Sequence, residues 1–321
     1  KTVAYDRLAE VNKLIDQIVE GTQFTFPWMD EGITQTKIAV LTLSKAFEEY
    51  KIYQMNNRIK PQTIERSYYA IKTLTDVIGK SFPLRRLRTS YFDRYKAYWN
   101  AKHSANTINI SLTKIKAFLG WCYKKGHISK PIEIEKVKAP KKPVSYISDQ
   151  YFKEIMELDS IDNYYKRVFL FYRETGLRRS EPFNAVLDGN WLIVKAEKSK
   201  TSRERNTELN NALISIYEEI IQDINTPKKQ NSRWADGNAK LQLEKHRSIQ
   251  DRYSKQFKKA CKEIGINRHF HNLRDTYAVR MWAITGDIYY VSKLIGHTSV
   301  TMTEKYADFN LRRLLCDFPT L

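Results

Sequence analysis

Four short clusters in the C-terminal half of the chain carry the residue types that chemistry on an anion needs. The first, T-G-L-R-R-S-E at 175–181, presents Arg178 on a glycine turn, with Ser180 able to cap a following helix and Pro182 suited to its first turn. The second, S-K-T at 199–201, is flanked by Lys198, Arg203 and Arg205. It reads as a hairpin tip, from which Lys200 can reach into a groove and protonate a leaving oxygen. The third, H-N-L-R at 271–274, stands at an expected helix start, where His271 and Arg274 share one face and backbone N–H groups favour an anion. The fourth runs L-I-G-H-T-S-V-T-M-T-E-K-Y from 294 to 306. There Gly296 ends one helix, Ser299 can cap the next, and Tyr306 sits late on that short helix, nine positions after His297.

Singly, none of these is diagnostic. An arginine after a glycine turn is ordinarily a surface charge, a basic loop is ordinarily solvated, and the chain holds 20 tyrosines, most of which must pack or face water. A metal site built from His269, His271 and His297 lacks both H-E-x-x-H spacing and clustered carboxylates, so no metal is expected. The order and joint spacing of the four clusters is what discriminates.

The elements that must hold these clusters follow from apolar periodicity. Leu8, Val11, Ile15, Ile18 and Val19 form one stripe, predicting a helix over 4–20, followed by a connector through Gly21 and Pro27. Four further stripes predict a small bundle: Leu43/Ala46/Phe47/Tyr50, Ile64/Tyr68/Ile71/Val77/Ile78, Phe92/Tyr95/Trp99 and Ile108/Leu112/Ile115/Leu119/Cys122. Thr42, Pro61, Ser90 and either Asn106 or Thr107 mark their starts. The span from Lys130 to Pro143 has three prolines, and K-V-K-A-P-K-K packs four lysines into seven residues, so a solvated basic linker or a DNA-crossing strap is expected there. Past it, helices are predicted from Ser148 to about Met156 and from Tyr164 to Glu174. A hairpin comes next, from Trp191-Leu192-Ile193-Val194 to Leu209, and then helices over 211–223, 249–264, 272–284, 289–295 and 300–307, with 225–243 as loop. The fold class expected is mainly α with a small β-hairpin or sheet, divided into 1–35, 36–130, 131–147 and 148–321.

Composition sets the wider bounds. The 321 residues are 42% hydrophobic, enough for two modest cores, and 55 Lys and Arg against 36 Asp and Glu leave a net charge of +19. A polyanion is the partner this charge favours. Cys122, Cys261 and Cys316 are odd in number and lack C-x-x-C spacing, so they read as buried small residues rather than a disulfide or zinc framework. No apolar run is long enough to span a membrane and no leader opens the chain, so an intracellular, cytoplasmic protein with no membrane contact is expected. A start at Lys1 rather than Met leads one to expect a preceding piece.

Taken together, the T-G-L-R-x-S-E turn, the hairpin lysine, the H-x-x-R pair and the G-H followed nine residues later by tyrosine resemble the tyrosine recombinase (phage integrase) family over residues 36–321. Asn272 departs from the aspartate of many relatives, Pro182 from an apolar residue, and Glu208-Leu209 from the usual Pro-Leu, which leaves Lys198 as the fallback for Lys200. The resemblance implies a four-helix core-binding domain ahead of an α+β catalytic domain, and lets the 4–20 helix join an arm-binding domain ahead of it. It implies Arg178, Lys200, His271, Arg274, His297 and Tyr306 as the active set, with Lys136, Lys138, Lys141, Lys142, Lys198, Arg203 and Arg205 on DNA. The implied activity is site-specific cleavage and rejoining of double-stranded DNA through a 3′-phosphotyrosyl link, without metal, ATP or other cofactor. The implied assembly is a homotetramer on recombination sites, with the C-terminal helix around Leu311 to Leu315 packing on a neighbour and accessory DNA-bending or directionality proteins as further partners. A type IB topoisomerase-like enzyme and a catalytically silent DNA-binding relative are the alternatives.

Overall fold

The computed structural model describes residues 41–140, 143–196, 204–225 and 239–320, together with Leu8, Ala9 and Val11; of 239–243 and Leu311 it describes the backbone alone. The chain divides into two compact units, 1–141 and 142–321. The predicted helix over 4–20 and its connector fall almost entirely outside the described residues.

In the first unit four helices follow one another: α1 (Leu43–Asn56), α2 (Pro61–Ile78), α3 (Ser90–Asn100) and α4 (Ala105–Lys124). Thr42 caps α1 by accepting from the Lys45 N–H, and Pro61 opens α2 where a missing N–H costs nothing. Two starts differ from expectation. Ser104, not Asn106 or Thr107, caps α4, and α3 begins at Ser90 with Thr89 ahead of it and no side-chain cap. The apolar stripes meet in one core that includes Phe47, Ile71, Leu74, Ile108, Leu112, Ile115 and Phe118. Phe118 lies against Tyr50 with ring centroids 5.4 Å apart.

The stretch after α4 is more ordered than its composition suggests. Ile134 is buried, Ile132 and Val137 pack on the bundle core, and the Asn109 amide exchanges two 2.8 Å hydrogen bonds with the Val137 backbone. Lys136 and Lys138, on either side of Val137, are exposed. The prolines and lysines therefore mask apolar contacts, at Ile132, Ile134 and Val137, that anchor this stretch to the first unit, in place of a solvated linker.

The second unit opens with α5 (Asp149–Glu157), capped by Ser148 as predicted, and α6 (Asn163–Thr175). Gly176 ends α6 at φ 59°, the left-handed conformation. A three-stranded antiparallel sheet follows: β1 (Ala185–Asp188), β2 (Trp191–Val194) and β3 (Arg205–Glu208), in that spatial order. Asp188 pairs with Trp191 and Val194 with Arg205. β1 was not expected. Four residues give too short an alternation to register, although Gly189-Asn190 after Asp188 is a turn signal in its own right. Between Gly176 and β1 the chain makes a single 3-10 turn over Pro182–Asn184, with no Ser180 cap.

The rest is helical: α7 (Asn211–Asn225), α8 (Ala239–Glu263), α9 (Asn272–Thr285), α10 (Ile288–Leu294) and α11 (Leu311–Asp317). α8 begins ten residues before its predicted start because the apolar pattern fades there while helix-compatible residues continue. Where a helix was predicted over 300–307 the chain instead makes two 3-10 turns, Val300–Met302 and Glu304–Tyr306, and Ser299 makes no side-chain cap. β-branched Thr298, Val300, Thr301 and Thr303 resist a regular α-helix. Two cores fill this unit: one joins α5 to α8 and the sheet through Phe169, Phe171, Tyr172, Tyr253 and Phe257. The other gathers Ala278, Val279, Val291, Ile295, Leu314 and Phe318 around Tyr306. Cys122 and Cys261 are buried, but Cys316 is exposed, contrary to expectation. Among the described residues no helix is long and apolar enough to cross a membrane.

Among the described glycines, Gly176 is the one where an added Cβ meets the closest neighbour. A Cβ there would lie 2.3 Å from Cδ1 of Tyr277, on backbone that an L side chain adopts at a cost of about 1–2 kcal/mol. Gly176→Ala is therefore expected to lower the unfolding free energy by more than about 2 kcal/mol, read as a lower urea midpoint.

Candidate active site

Two arginines 96 positions apart converge on one turn. Arg178 follows the Gly176 turn, and its Nη2 donates to the Gly296 carbonyl at 3.0 Å. Arg274, in the first turn of α9 and 2% exposed, donates from Nη2 to the neighbouring Ile295 carbonyl and from Nη1 to the Gly176 carbonyl at 2.7 Å. The 295–296 turn leads directly into His297, so both guanidinium groups are set beside the segment that carries the remaining candidates.

Glu181 holds them there. Its carboxylate, 4% exposed, accepts from Arg178 Nη1 and from the Arg178 backbone N–H, both at 2.7 Å, and from Arg205 Nη1 at 3.0 Å; Arg274 Nη1 is 4.0 Å away. Burial alone would raise the Glu181 pKa, but the Arg205 charge, the Arg178 N–H and the Arg274 charge outweigh it, and the carboxyl is held below its usual range. Arg274 is pushed down to about 9 by burial and by the adjacent Arg205 and Arg178 charges, so it still carries its proton near neutrality.

Tyr306 lies in the second 3-10 turn, 1% exposed. Its hydroxyl donates to Asp275 Oδ1 at 2.7 Å, and its ring stacks beside His297 with centroids 6.5 Å apart. Lys305 Nζ lies 4.6 Å from the ring centroid and 3.3 Å from the same Asp275 oxygen. Burial first, then the Asp275 charge and hydrogen bond, raise the phenol pKa well above 10. The resting phenol is neutral and shielded.

His297 shares a 2.8 Å hydrogen bond between Nδ1 and the Thr303 hydroxyl. Burial, then the Arg274, Arg178 and Lys305 charges, push its pKa down to about 4. His271 stands at the head of α9, and burial of its ring outweighs the Asp275 charge to lower its pKa too. It lines a cleft of about 360 Å³ with Arg274, floored by Tyr172, Leu177, Phe270 and Leu273. Two near-neutral imidazoles, fixed cations and a protonated phenol suit binding of a phosphate and nucleophilic attack on it better than they suit metal hydrolysis. Among the described residues no group of three or more His, Cys, Asp or Glu is placed to hold a metal ion.

Thus Arg178, Arg274, His297 and Tyr306 are brought together, and His271 joins them through the cleft it shares with Arg274. Lys200, its fallback Lys198, Arg203, Lys141 and Lys142 lie outside the described residues. Arg205 requires correction. Expected on DNA, it is 7% exposed and directs both terminal nitrogens to Glu181, Thr175 and Gly176, because β3 turns its side chain inward. Glu181, Asp275 and Thr303 were not singled out. Glu181 stands three residues after Arg178 and Asp275 directly follows Arg274, but neither spacing reveals a partner from another segment.

The family model described as Phage integrase family matches residues 147–313, and the Phage integrase SAM-like domain matches 42–137. The chain is 25% identical over 223 residues to tyrosine recombinase XerA of Pyrococcus horikoshii, covering 66% of this chain and 72% of that protein. Its fold is similar to that of a lambda integrase dimer bound to a COC′ core site (TM-score 0.64, 17% identity, 84% of this chain and 96% of that one). A lambda integrase tetramer bound to a Holliday junction gives TM-score 0.65 at 16% identity, over 84% and 78% of the two chains. Tn1549 transposon integrase in complex with transposon right end DNA gives 0.64 at 16%, over 86% and 98%.

The His297 shift has a definite sign. The unfolded chain binds a proton near the ordinary value of about 6.5, while the folded chain resists it down to about 4. Stability contributed by neutral His297 is thus present above pH 6.5 and lost as pH falls through that window. His297→Gln is expected to flatten the drop in melting temperature between pH 6.5 and 4. Likewise, Asp275→Asn is expected to lower the Tyr306 pKa, followed by ring-labelled tyrosine NMR with Tyr306→Phe assigning the signal; an unchanged midpoint would show that Asp275 does not govern the phenol.

Proposed function

Since the chain belongs to the phage integrase family of tyrosine recombinases, enzymes of site-specific DNA cleavage and rejoining, we propose that Tyr306 is the nucleophile and that Arg178 and Arg274 clamp the scissile phosphate. The convergence of both arginines on the 295–296 turn, next to His297 and Tyr306, is the observation that carries this reading.

The chemistry follows from charge. Transfer at a phosphodiester builds negative charge on the non-bridging oxygens, and two bidentate-capable guanidinium groups answer it without a metal. Tyr306 Oη bonds to phosphorus as the P–O5′ bond breaks, leaving a 3′-phosphotyrosine and a 5′ hydroxyl. His271 takes the phenol proton, His297 donates to a phosphoryl oxygen, and Lys200 gives a proton to the departing O5′. Because the phenol is buried on Asp275, cleavage requires it to leave that carboxylate when DNA occupies the site. A second 5′ hydroxyl reverses the step, and bond energy is conserved without ATP.

In this reading the first unit is the core-binding domain, the 131–147 segment joins it to the catalytic domain, and exposed Lys136 and Lys138 contact DNA together with Lys141, Lys142, Lys198 and Arg203. Double-stranded DNA carrying recombination sites is the partner. The tetramer named for the lambda integrase neighbour supports four protomers on two duplexes, with accessory proteins setting direction, and the site of action is the nucleoid-associated cytoplasm.

Incubating the protein with a random-sequence duplex library and isolating denaturant-resistant adducts tests the assignment. Tyr306→Phe is expected to abolish adducts while DNA binding persists; an adduct surviving in that variant would remove Tyr306 from the role. On the recovered site, Arg178→Ala is expected to raise the cleavage barrier by about 2.7–4 kcal/mol, a loss of roughly 10²–10³ in rate.

A further inference from the structure

We propose that Arg205 is a positioning residue for strand cleavage, a third arginine that never meets the phosphate but sets the placement of the two that do. The inference rests on the reading of Arg178 and Arg274 as the phosphate clamp. Arg205 opens β3 opposite Val194, and its guanidinium bridges Glu181 and the Gly176 carbonyl, which among the described residues are otherwise bonded by side chains of the clamp arginines alone. Nη1 donates to Glu181 Oε2 at 3.0 Å and to the Gly176 carbonyl at 3.3 Å, and Nη2 donates to the Thr175 carbonyl at 2.9 Å. Glu181 Oε2 also accepts from the Arg178 N–H, and the Gly176 carbonyl also accepts from Arg274 Nη1. Every anchor of Arg205 is therefore an anchor of a clamp arginine or its immediate neighbour in sequence.

The geometry assigns a cause to this sharing. Thr175 and Gly176 end α6, where unpaired carbonyls and the negative end of the helix dipole favour a cation. Arg205 supplies that cation from the sheet and so joins β3 to the turn that presents Arg178. Its Cδ also lies 3.5 Å from where a Cβ on Gly296 would stand, which sets it against the turn bonded by Arg178 Nη2. Without it, Glu181 Oε2 loses a donor and is open to capture by Arg178 or Arg274, and a guanidinium drawn fully onto Glu181 is withdrawn from a phosphate. A lysine would keep the charge but cannot reproduce a planar fork spanning a carboxylate and a carbonyl.

Wild type, Arg205→Met and Arg205→Lys are compared on the cleavage site recovered from the duplex library. The expected result is a fall of about 100-fold in cleavage rate at saturating DNA for Arg205→Met, within the range seen on losing one transition-state donor. DNA affinity should stay within about threefold, and Arg205→Lys should recover only part of the rate, as a point charge replaces a fork. A folded Arg205→Met that cleaves at the wild-type rate overturns the proposal, as does a loss confined to affinity. If Arg205→Met fails to fold, Arg205→Lys decides alone: a wild-type rate overturns the inference, and a slower rate at unchanged affinity supports it. If wild type itself forms no adduct, the nucleophile assignment fails separately. The Nε–H NMR signals of Arg178 and Arg274, assigned with Arg178→Lys and Arg274→Lys, then still decide the placement. Shifts of both signals in Arg205→Lys support it, and unchanged signals overturn it.

Discussion

A single buried carboxylate shared among three guanidinium groups is the constraint on which the second unit depends. Glu181 pairs with Arg178 and Arg205 and lies 4.0 Å from Arg274. One negative charge among three positive ones leaves an excess of cation in a largely dehydrated place. Desolvation makes each of these charges expensive unless it is bonded, and here the carbonyls of Thr175, Gly176, Ile295 and Gly296 take the terminal guanidinium nitrogens, while Arg205 Nε is buried without a partner among the described residues. Those carbonyls belong to two chain turns, one ending α6 and one following α10. The arginines therefore fasten the two turns together, and the same bonds that hold the fold leave unbalanced positive charge beside His297.

Burial and that excess charge act together on the other groups of the site. Burial first, and then the Arg274, Arg178 and Lys305 charges, depress both histidines, which stay neutral and able to share or accept protons near neutrality. The phenol would be helped toward ionisation by the same cations, and Arg274 does act in that direction, but burial and Asp275 prevail. In the proposed role of Tyr306, a phenol kept protonated and covered until an anion enters the site would be protected from side reactions, at the cost of a rearrangement on binding. Asp275, bonded to Tyr306 and to Lys305 of the same turn, holds that resting arrangement.

The first unit obeys simpler rules. Its stability comes from amphipathic faces packed around Phe118, and its last stretch is attached by Ile132, Ile134, Val137 and the Asn109 amide. Lys136 and Lys138 stay exposed beside those contacts, so one segment both completes a core and presents charge.

Local pattern alone determined the four helices of the bundle, the break at Gly176, the hairpin strand at Trp191–Val194, and the four clusters whose order marks the family. Each of these depends on neighbours within a few residues, which periodicity, capping and turn chemistry record. Tertiary structure alone decided which charged groups face inward. Arg205 and Arg203 look alike in a basic run, yet pairing of β3 with β2 buries Arg205 against Glu181, and no local signal carries that register. Asp275 became the partner of Tyr306 because packing of α10 and α11 against α9 returns residue 306 to the head of a helix 31 positions earlier. A contact of that kind depends on how distant segments stack, and sequence spacing does not encode it.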